Sequence, residues 1–243
     1  MGASGAAVIA SRDYATARAR AEEALELHRT LGDAWGVANS RFLLGFADVE
    51  EGDFEGAVAP LEESLRLFGE LGDETRVSIV TFNLVWAYKE LGERERARAL
   101  AEDNLRRARA SGNERMLSFA LDWLETYARE EGRLDEALSM NREMLRIRWG
   151  AGDRLHVADS LGRFAAVFAA MERPQAAVRL VACSVSAFQE LGISVPVYWE
   201  TRMDETLAAL RVQLDEAAVA EAWEQGRKIT IDEAVALALD SVD

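Results

Sequence analysis

The sequence predicts an all-α fold built from antiparallel helix pairs with a 40-residue period, closed at the C-terminus by a short helical cap. Three observations carry this. Glycine recurs on a regular lattice along the chain. The apolar residues between lattice points follow a helical period. No segment shows the two-residue alternation of a strand.

The lattice is the strongest signal. Gly32, Gly72, Gly112, Gly152 and Gly192 stand 40 residues apart, and Gly52, Gly92 and Gly132 form a second series offset by 20. Eight of the ten lattice sites from 12 to 192 are Gly, Arg12 and Glu172 being the exceptions; a background usage of about 7% would give about one. Other columns keep the register. Ala17, Ala57, Ala97, Ala137 and Ala177 form one, and Leu25, Leu65, Leu105, Leu145 and Val185 another. Leu44, Leu84, Leu124 and Phe164 form a third, and Val37, Val77, Leu117 and Val157 a fourth. An unbroken register over about 180 residues means that each repeat is one structural unit stacked on the next.

The elements follow in order. A first helix covers about 14–31. Nine more span about 34–50, 54–71, 74–90, 94–110, 114–130, 134–150, 154–170, 174–191 and 196–212. Within them Ala57, Leu61, Leu65 and Phe68 mark one stripe of a helix. Asp33, Asp73, Asn113 and Asp153 each follow a lattice Gly, so each reads as the N-cap of the next helix, its side chain accepting from free N–H groups. The Gly before it supplies the left-handed residue that ends the previous helix. The other series lies in the turn within each pair. Where Glu172 replaces Gly, Pro174 follows in a first helical turn, which tolerates its missing N–H. The tail reads as two short helices, about 215–225 and 231–240, the second opened by the capping box Thr230-Ile231-Asp232-Glu233. The domain division expected is a repeat region over 1–213 and capping helices over 214–243. Residues 3–11 read as the end of a helix whose first half is missing, so the chain reads as a piece of a longer protein.

Composition narrows the function. The chain has 243 residues, 43 Asp and Glu against 28 Lys and Arg, and a net charge of −15. This balance opposes a phosphate-binding surface, so no direct nucleic-acid contact is expected. One Cys cannot form an internal disulfide, and two His with one Cys cannot build a His/Cys zinc site. A reducing, cytoplasmic compartment fits. No apolar run is long enough for a membrane span. No metal or cofactor is expected, and no clustered nucleophile and base points to an enzyme.

The columns resemble the tetratricopeptide family. Leu44-Gly45, Gly52-Asp53, Ala57 and Leu65 match its pattern in one repeat, and Leu84, Tyr88, Gly92, Ala97 and Leu105 in the next. The unit here is 40 residues rather than 34 and lacks the Pro after the second helix. The Leu-Gly-Asp separators, Leu31-Gly32-Asp33 and Leu71-Gly72-Asp73, resemble a longer subtype found in bacterial signal-transduction ATPases and in large ATP-dependent LuxR-type transcriptional regulators. The tail segments Leu207 to Arg211, Ala222 to Arg227 and Asp232 to Leu239 resemble the close of the repeat region there. The resemblance implies a right-handed α-solenoid that acts as a non-enzymatic interaction or effector-sensing module. The alternative is a stand-alone scaffold or peptide-binding receptor. The phosphate loop and the helix-turn-helix of those regulators have no counterpart in this sequence.

Candidate site residues lie on a second apolar face of the first helix of each pair. Phe42, Phe46 and Val49 lie opposite the packing stripe. Ile79, Phe82 and Trp86 repeat this one unit on, and Phe119 and Trp123 on the next. The resemblance places this face in the concave groove. The groove set is therefore Phe42, Phe46, Phe82, Asn83, Trp86, Phe119 and Trp123. Three readings remain open for it: packing of neighbouring helices on one another, binding of a small effector or of a protein or peptide partner, and self-association. Asn83 alone matches a position of the carboxylate clamps known in the family, so capture of chaperone tails is not expected. Lys89 and Arg163 are candidates to meet an anion there, a solvated charge being the more common case. The Arg-rich helix 94–110 reads as a solvated face with Glu102–Arg106 and Asp103–Arg107 pairs. His28 and His156 read as surface or boundary residues, and Cys183 as buried filler.

Overall fold

The computed structural model describes residues 13–193, 195 and 197–240. Among them every regular element is an α-helix, twelve in all. They are α1 (Tyr14–Leu31), α2 (Ala34–Glu51), α3 (Phe54–Glu70), α4 (Glu74–Glu90), α5 (Arg94–Ser111), α6 (Glu114–Glu130), α7 (Leu134–Gly150), α8 (Arg154–Ala170), α9 (Pro174–Glu190), α10 (Val197–Gln213), α11 (Glu216–Gly226) and α12 (Ile231–Asp240). Each expected span is matched to within about two residues. The expectation for residues 3–11 lies outside the described residues. No helix among the described residues is long and apolar enough to cross a membrane.

The turns behave as the lattice requires. All eight lattice glycines have positive φ, between 65° and 81°. At Gly52 the backbone N–H donates to Val49 O, and the next N–H, of Asp53, donates to Asp48 O. Two carbonyls at the end of α2 are thereby satisfied in a Schellman-type closure. Glu172 is the only non-glycine with positive φ among the described residues, at 58°. It makes the same two bonds, Glu172 N to Ala169 O and Arg173 N to Phe168 O. The register is thus strong enough to hold an L-residue left-handed, at a cost of about 1 kcal/mol.

The helix starts follow. Asp33, Asp73, Asn113 and Asp153 accept from the N–H of Gly36, Arg76, Met116 and His156. Asp53 does the same for Gly56 inside its pair. Glu93, Arg133 and Arg173 make no side-chain cap. In the tail Glu233 N–H donates to Thr230 Oγ1, and Thr230 N–H donates back to Glu233 Oε2, closing the capping box.

The chain divides into two compact units between Trp123 and Leu124. In the first, α1 packs on α2, α2 on α3, α3 on α4 and α4 on α5, while α2 also touches α4. Ala57 and Ala97 are fully buried, letting the second helix of a pair approach the first. Gly45 serves the same end: a Cβ there would meet Leu61 Cγ at 2.6 Å and Ala57 O at 3.1 Å. Buried serines tie the pairs. Ser64 Oγ on α3 donates to Ala38 O on α2 at 2.8 Å.

In the second unit α7, α8, α9 and α10 pack around Leu161, Phe164, Phe168, Val181 and Phe188. Ser184 Oγ on α9 donates to Ala158 O on α8, the counterpart of the Ser64 bond. The tail is part of this core. α11 lies on α9 and α12 touches α7, α8 and α9, with Ala222, Ala234, Val235 and Ala238 in the same apolar cluster. The tail buries its apolar stripe in the second unit and does not form a separate body, and the division between units falls inside α6.

Two substitutions test this account of the turns and close approaches. Glu172→Gly should raise stability by about 0.5 kcal/mol, because it removes the left-handed strain while loosening the unfolded chain. Gly45→Ala should lower stability by about 1–2 kcal/mol despite its better helix propensity, since Leu61 is fully buried and cannot withdraw. Urea unfolding followed by circular dichroism measures both; a stabilised Gly45→Ala variant would contradict the packing.

Candidate functional site

The aromatic face of the first unit is largely closed. Phe42 and Phe46 stack with ring centroids 5.8 Å apart, and both are buried. Trp86 is buried against Phe54 at the start of α3, at 5.9 Å. Trp123 is buried on Phe82 at 5.5 Å, and its Nε1–H donates to Phe82 O at 2.8 Å. Asn83 is buried, and its Nδ2 donates to Ile79 O in its own helix. Only Phe82 and Phe119 are half-buried. Of the seven residues expected to line a groove, five lie inside the packing. The cause is that the first helices of successive pairs lie side by side, so their second apolar faces meet. Lys89 stands 6.0 Å from the Trp123 ring and 4.0 Å from a Glu90 carboxylate oxygen.

A groove does exist on the other side of this unit. α3 and α5 leave a cleft of about 550 Å³, floored by Leu84 and Tyr88 of α4 and walled by Leu65, Ala99 and Leu100. Tyr88 O–H donates to Glu62 Oε1, and the Arg96 guanidinium lies over the Tyr88 ring at 4.1 Å. Burial, reinforced by Glu62, pushes the Tyr88 hydroxyl well above its ordinary value. The arginines of α5 are tied at its surface: Arg98 pairs with Glu102, and both Arg106 and Arg107 pair with Asp103. The expected Asp103–Arg107 pair forms, while Arg106 turns from Glu102 to Asp103.

The second unit holds a buried polar cluster that the sequence reading reached only through Arg163. Arg163 has no exposed surface. Its Nη1 donates to Glu125 Oε2 on α6 at 3.0 Å, and its Nε to Asp159 Oδ2 on α8 at 3.1 Å. Asp159 also receives Arg148 Nη1 from α7, at 3.3 Å, and Arg202 Nη2 from α10. Arg148 Nη1 reaches Ser160 Oγ as well. Tyr198 lies between two guanidiniums, 5.8 Å from that of Arg163 and 5.4 Å from that of Arg202. Arg129 Nε stands 3.7 Å from Glu125 Oε1.

The two carboxylates respond oppositely. Burial opposes ionisation of Asp159, but the guanidiniums of Arg202, Arg163 and Arg148 outweigh it and hold its pKa well below the ordinary value. At Glu125 burial outweighs Arg163, Arg129 and Arg202, so its pKa is raised. One carboxylate is held ionised at the centre, and the other is pushed toward its neutral form.

The repeat columns carried a signal for this cluster. Arg163 falls in the column of Leu43, Asn83 and Trp123; Asp159 in that of Asn39, Ile79 and Phe119; Arg202 in that of Phe42, Phe82, Asp122 and Gly162. At Asp159 and Arg163 a charge replaces the aromatic residue of the preceding repeat, which marks an interior ion cluster; the Arg202 column carries no such signal. The remaining titratable candidates do local work. His156 Nδ1 lies 2.8 Å from Asp153 Oδ2 at a helix start, and burial pushes the Cys183 thiol up to about 11. Among the described residues no group of three or more His, Cys, Asp or Glu could hold a metal ion.

Together these features define an all-α helical-repeat fold. Neither the protein-family models nor the curated proteins gave a match to the chain. Among solved structures, the chain is similar to the crystal structure of BtubC (BKLC) from P. vanneervenii, with a TM-score of 0.61 and 17% identity over 95% of this chain and 94% of that one. This likeness shows the shared all-α repeat fold.

The cluster yields an asymmetric prediction. At neutral pH Asp159→Asn should cost about 3–5 kcal/mol by leaving buried guanidiniums uncompensated, whereas Glu125→Gln should cost distinctly less. The Asp159 contribution, from a depressed pKa, is fully present above about pH 4 and is lost as the pH falls through the folded value. Glu125 has the opposite sign: its neutral form stabilises at low pH, and this is lost as the pH rises through its raised value. Urea titrations across this range should show the wild-type and Asp159→Asn stabilities converging in acid; equal losses for the two variants at neutral pH would refute the assignment.

Proposed function

We propose that this chain is a non-enzymatic interaction and effector-sensing module, working in the cytoplasm as the tetratricopeptide region of a larger LuxR-type, ATP-dependent transcriptional regulator. The observation that carries the reading is the cleft between α3 and α5. Its Leu84 floor and its Leu65 and Leu100 walls are apolar, and Arg66, Arg96 and Asp103 rim it. Such a surface suits an amphipathic segment of a partner, with area burial supplying affinity and the rim supplying register. The side chains that chemistry would need are engaged elsewhere, His156 at a cap and Cys183 under apolar cover. Ligand binding would bias the parent protein by differential affinity for its states.

The test begins with the reading frame. A phosphate-loop sequence upstream of this region supports the regulator; a frame without one rejects it in favour of a stand-alone scaffold or peptide receptor. In the full-length protein, Leu100→Lys, at a half-buried position on the cleft wall, should leave basal ATP hydrolysis intact and reduce its response to effector or partner by about tenfold, as expected for a lost apolar anchor. An unchanged response rejects the cleft.

A further inference from the structure

We propose that the second unit carries a binding site for a small carboxylate-bearing molecule, in the cleft bounded by α6, α8 and α10. The proposal deepens the effector-sensing reading and rests on it. The cleft measures about 320 Å³ and is lined by Arg129, Arg202, Ala166, Ala169, Glu205 and Gln213, among others.

The electrostatic setting is the first argument. Three buried guanidiniums, Arg148, Arg163 and Arg202, face two carboxylates, Asp159 and Glu125. Glu125 is pushed toward its neutral form by burial. Arg129 adds a fourth cation beside it, mostly buried. The buried end of the cleft is thus lined by guanidiniums, while the carboxylates of Glu172 and Glu205 line it from the exposed side.

Unused donors are the second. Arg202 is 5% exposed and lines the cleft. Its Nη2 is engaged by Asp159, but its Nε and Nη1 have no hydrogen-bond partner. Arg129 Nε also has none; Glu125 Oε1, itself without a hydrogen bond, stands 3.7 Å from it. Buried donors are nearly always satisfied, so the two orphaned donors of Arg202 at the cleft point to an absent acceptor. An oxyanion drawn against Arg202 and Arg129 would gain charge-assisted bonds. Arg202 is held from behind by Asp159, and Tyr198 packs on its face, so the cation is already placed.

The rest of the cleft sets the ligand class. Ala166, Ala169, Ala170 and Ala209 give a smooth wall for a short aliphatic body. Gln213 Nε2 is engaged by Ala169 O, which fixes one end of the cleft. Glu172 and Glu205 stand exposed at the mouth. They repel a polyanion and favour a cationic outer end. A short amino acid with its carboxylate inward and its ammonium outward fits both ends. Phosphate, with no body and more charge, fits neither.

The experiment is ligand titration of this chain, monitored by side-chain NMR of the arginine Nε–H groups and by chemical shifts around α8 and α10. The probes are 4-aminobutyrate, butyrate, butylamine and inorganic phosphate, added into the tens of millimolar. The expected order is 4-aminobutyrate tighter than butyrate, with butylamine and phosphate not saturating. Arg129→Met, at the partly exposed edge of the cluster, should weaken both carboxylates about tenfold, the worth of one charge-assisted hydrogen bond. Glu205→Gln should strengthen butyrate and erase the advantage of the amino group. Arg202→Lys is a further variant, and if it fails to fold the other two still decide. Absence of saturable shifts with either carboxylate, or binding unaffected by Arg129→Met, overturns the site. Because binding is read on this chain directly, that result would leave the α3–α5 cleft and the regulator reading untouched.

Discussion

Each helix from α1 to α8 ends after seventeen or eighteen residues and restarts almost at once, and the backbone does so through a left-handed residue. That constraint sets the fold. It fixes where each helix stops, hands two terminal carbonyls to the following N–H groups, and aims the next residue so that a short acidic side chain can cap the next helix. Gly52 and Asp53 show both halves of the arrangement in two consecutive residues. With the turns equal, helix lengths are equal, and the same side of each helix meets its neighbour one repeat later. The alanine column, the serine bonds from α3 to α2 and from α9 to α8, and the close approach at Gly45 all follow from that equality.

The fold was legible because its instructions are local. A left-handed turn asks for Gly, a cap asks for Asp or Asn, and a packing stripe repeats every three or four residues. Even Glu172, which breaks the first rule, was placed correctly by the register around it, and Arg173 completes the same pair of backbone bonds. The tail was harder. Its two helices, its capping box and its role as a cover for the last repeat were readable, but which residues make the contact, Ala222, Ala234 and Ala238 among them, was not, because small residues on a short helix do not announce their partner.

The site was less legible, for two physical reasons. First, an aromatic stripe on a second helix face has the same sequence whether another helix or a ligand covers it. Phe42, Trp86 and Trp123 are covered by neighbouring parts of the first unit, and only the folded packing decides this. Second, charges in a helix have the same spacing whether they face water or one another. Asp159 and Arg163 are four residues apart, as a surface pair would be. What distinguishes them is Arg202, which is 43 residues away from Asp159 and reaches it through the fold. Comparison of equivalent repeat positions recovers part of this, because a charge standing where earlier repeats have Leu, Phe or Trp is out of character for a solvated face.

The unbroken 40-residue register has a consequence for how such a chain can change length over evolutionary time. Any two equivalent turns present the same backbone geometry to the helix that follows. Recombination between them would therefore join one complete pair to another without a mismatched seam, adding or removing whole pairs while the flanking caps and alanine contacts stay intact. Interior charges restrict that freedom locally. A crossover between α7 and α10 would separate Arg148 or Arg202 from Asp159 and strand a cation. The first unit, whose interior is tied by aromatics and serines, is thus the more exchangeable stretch of the sequence, and the ion cluster is the part whose members have to be inherited together.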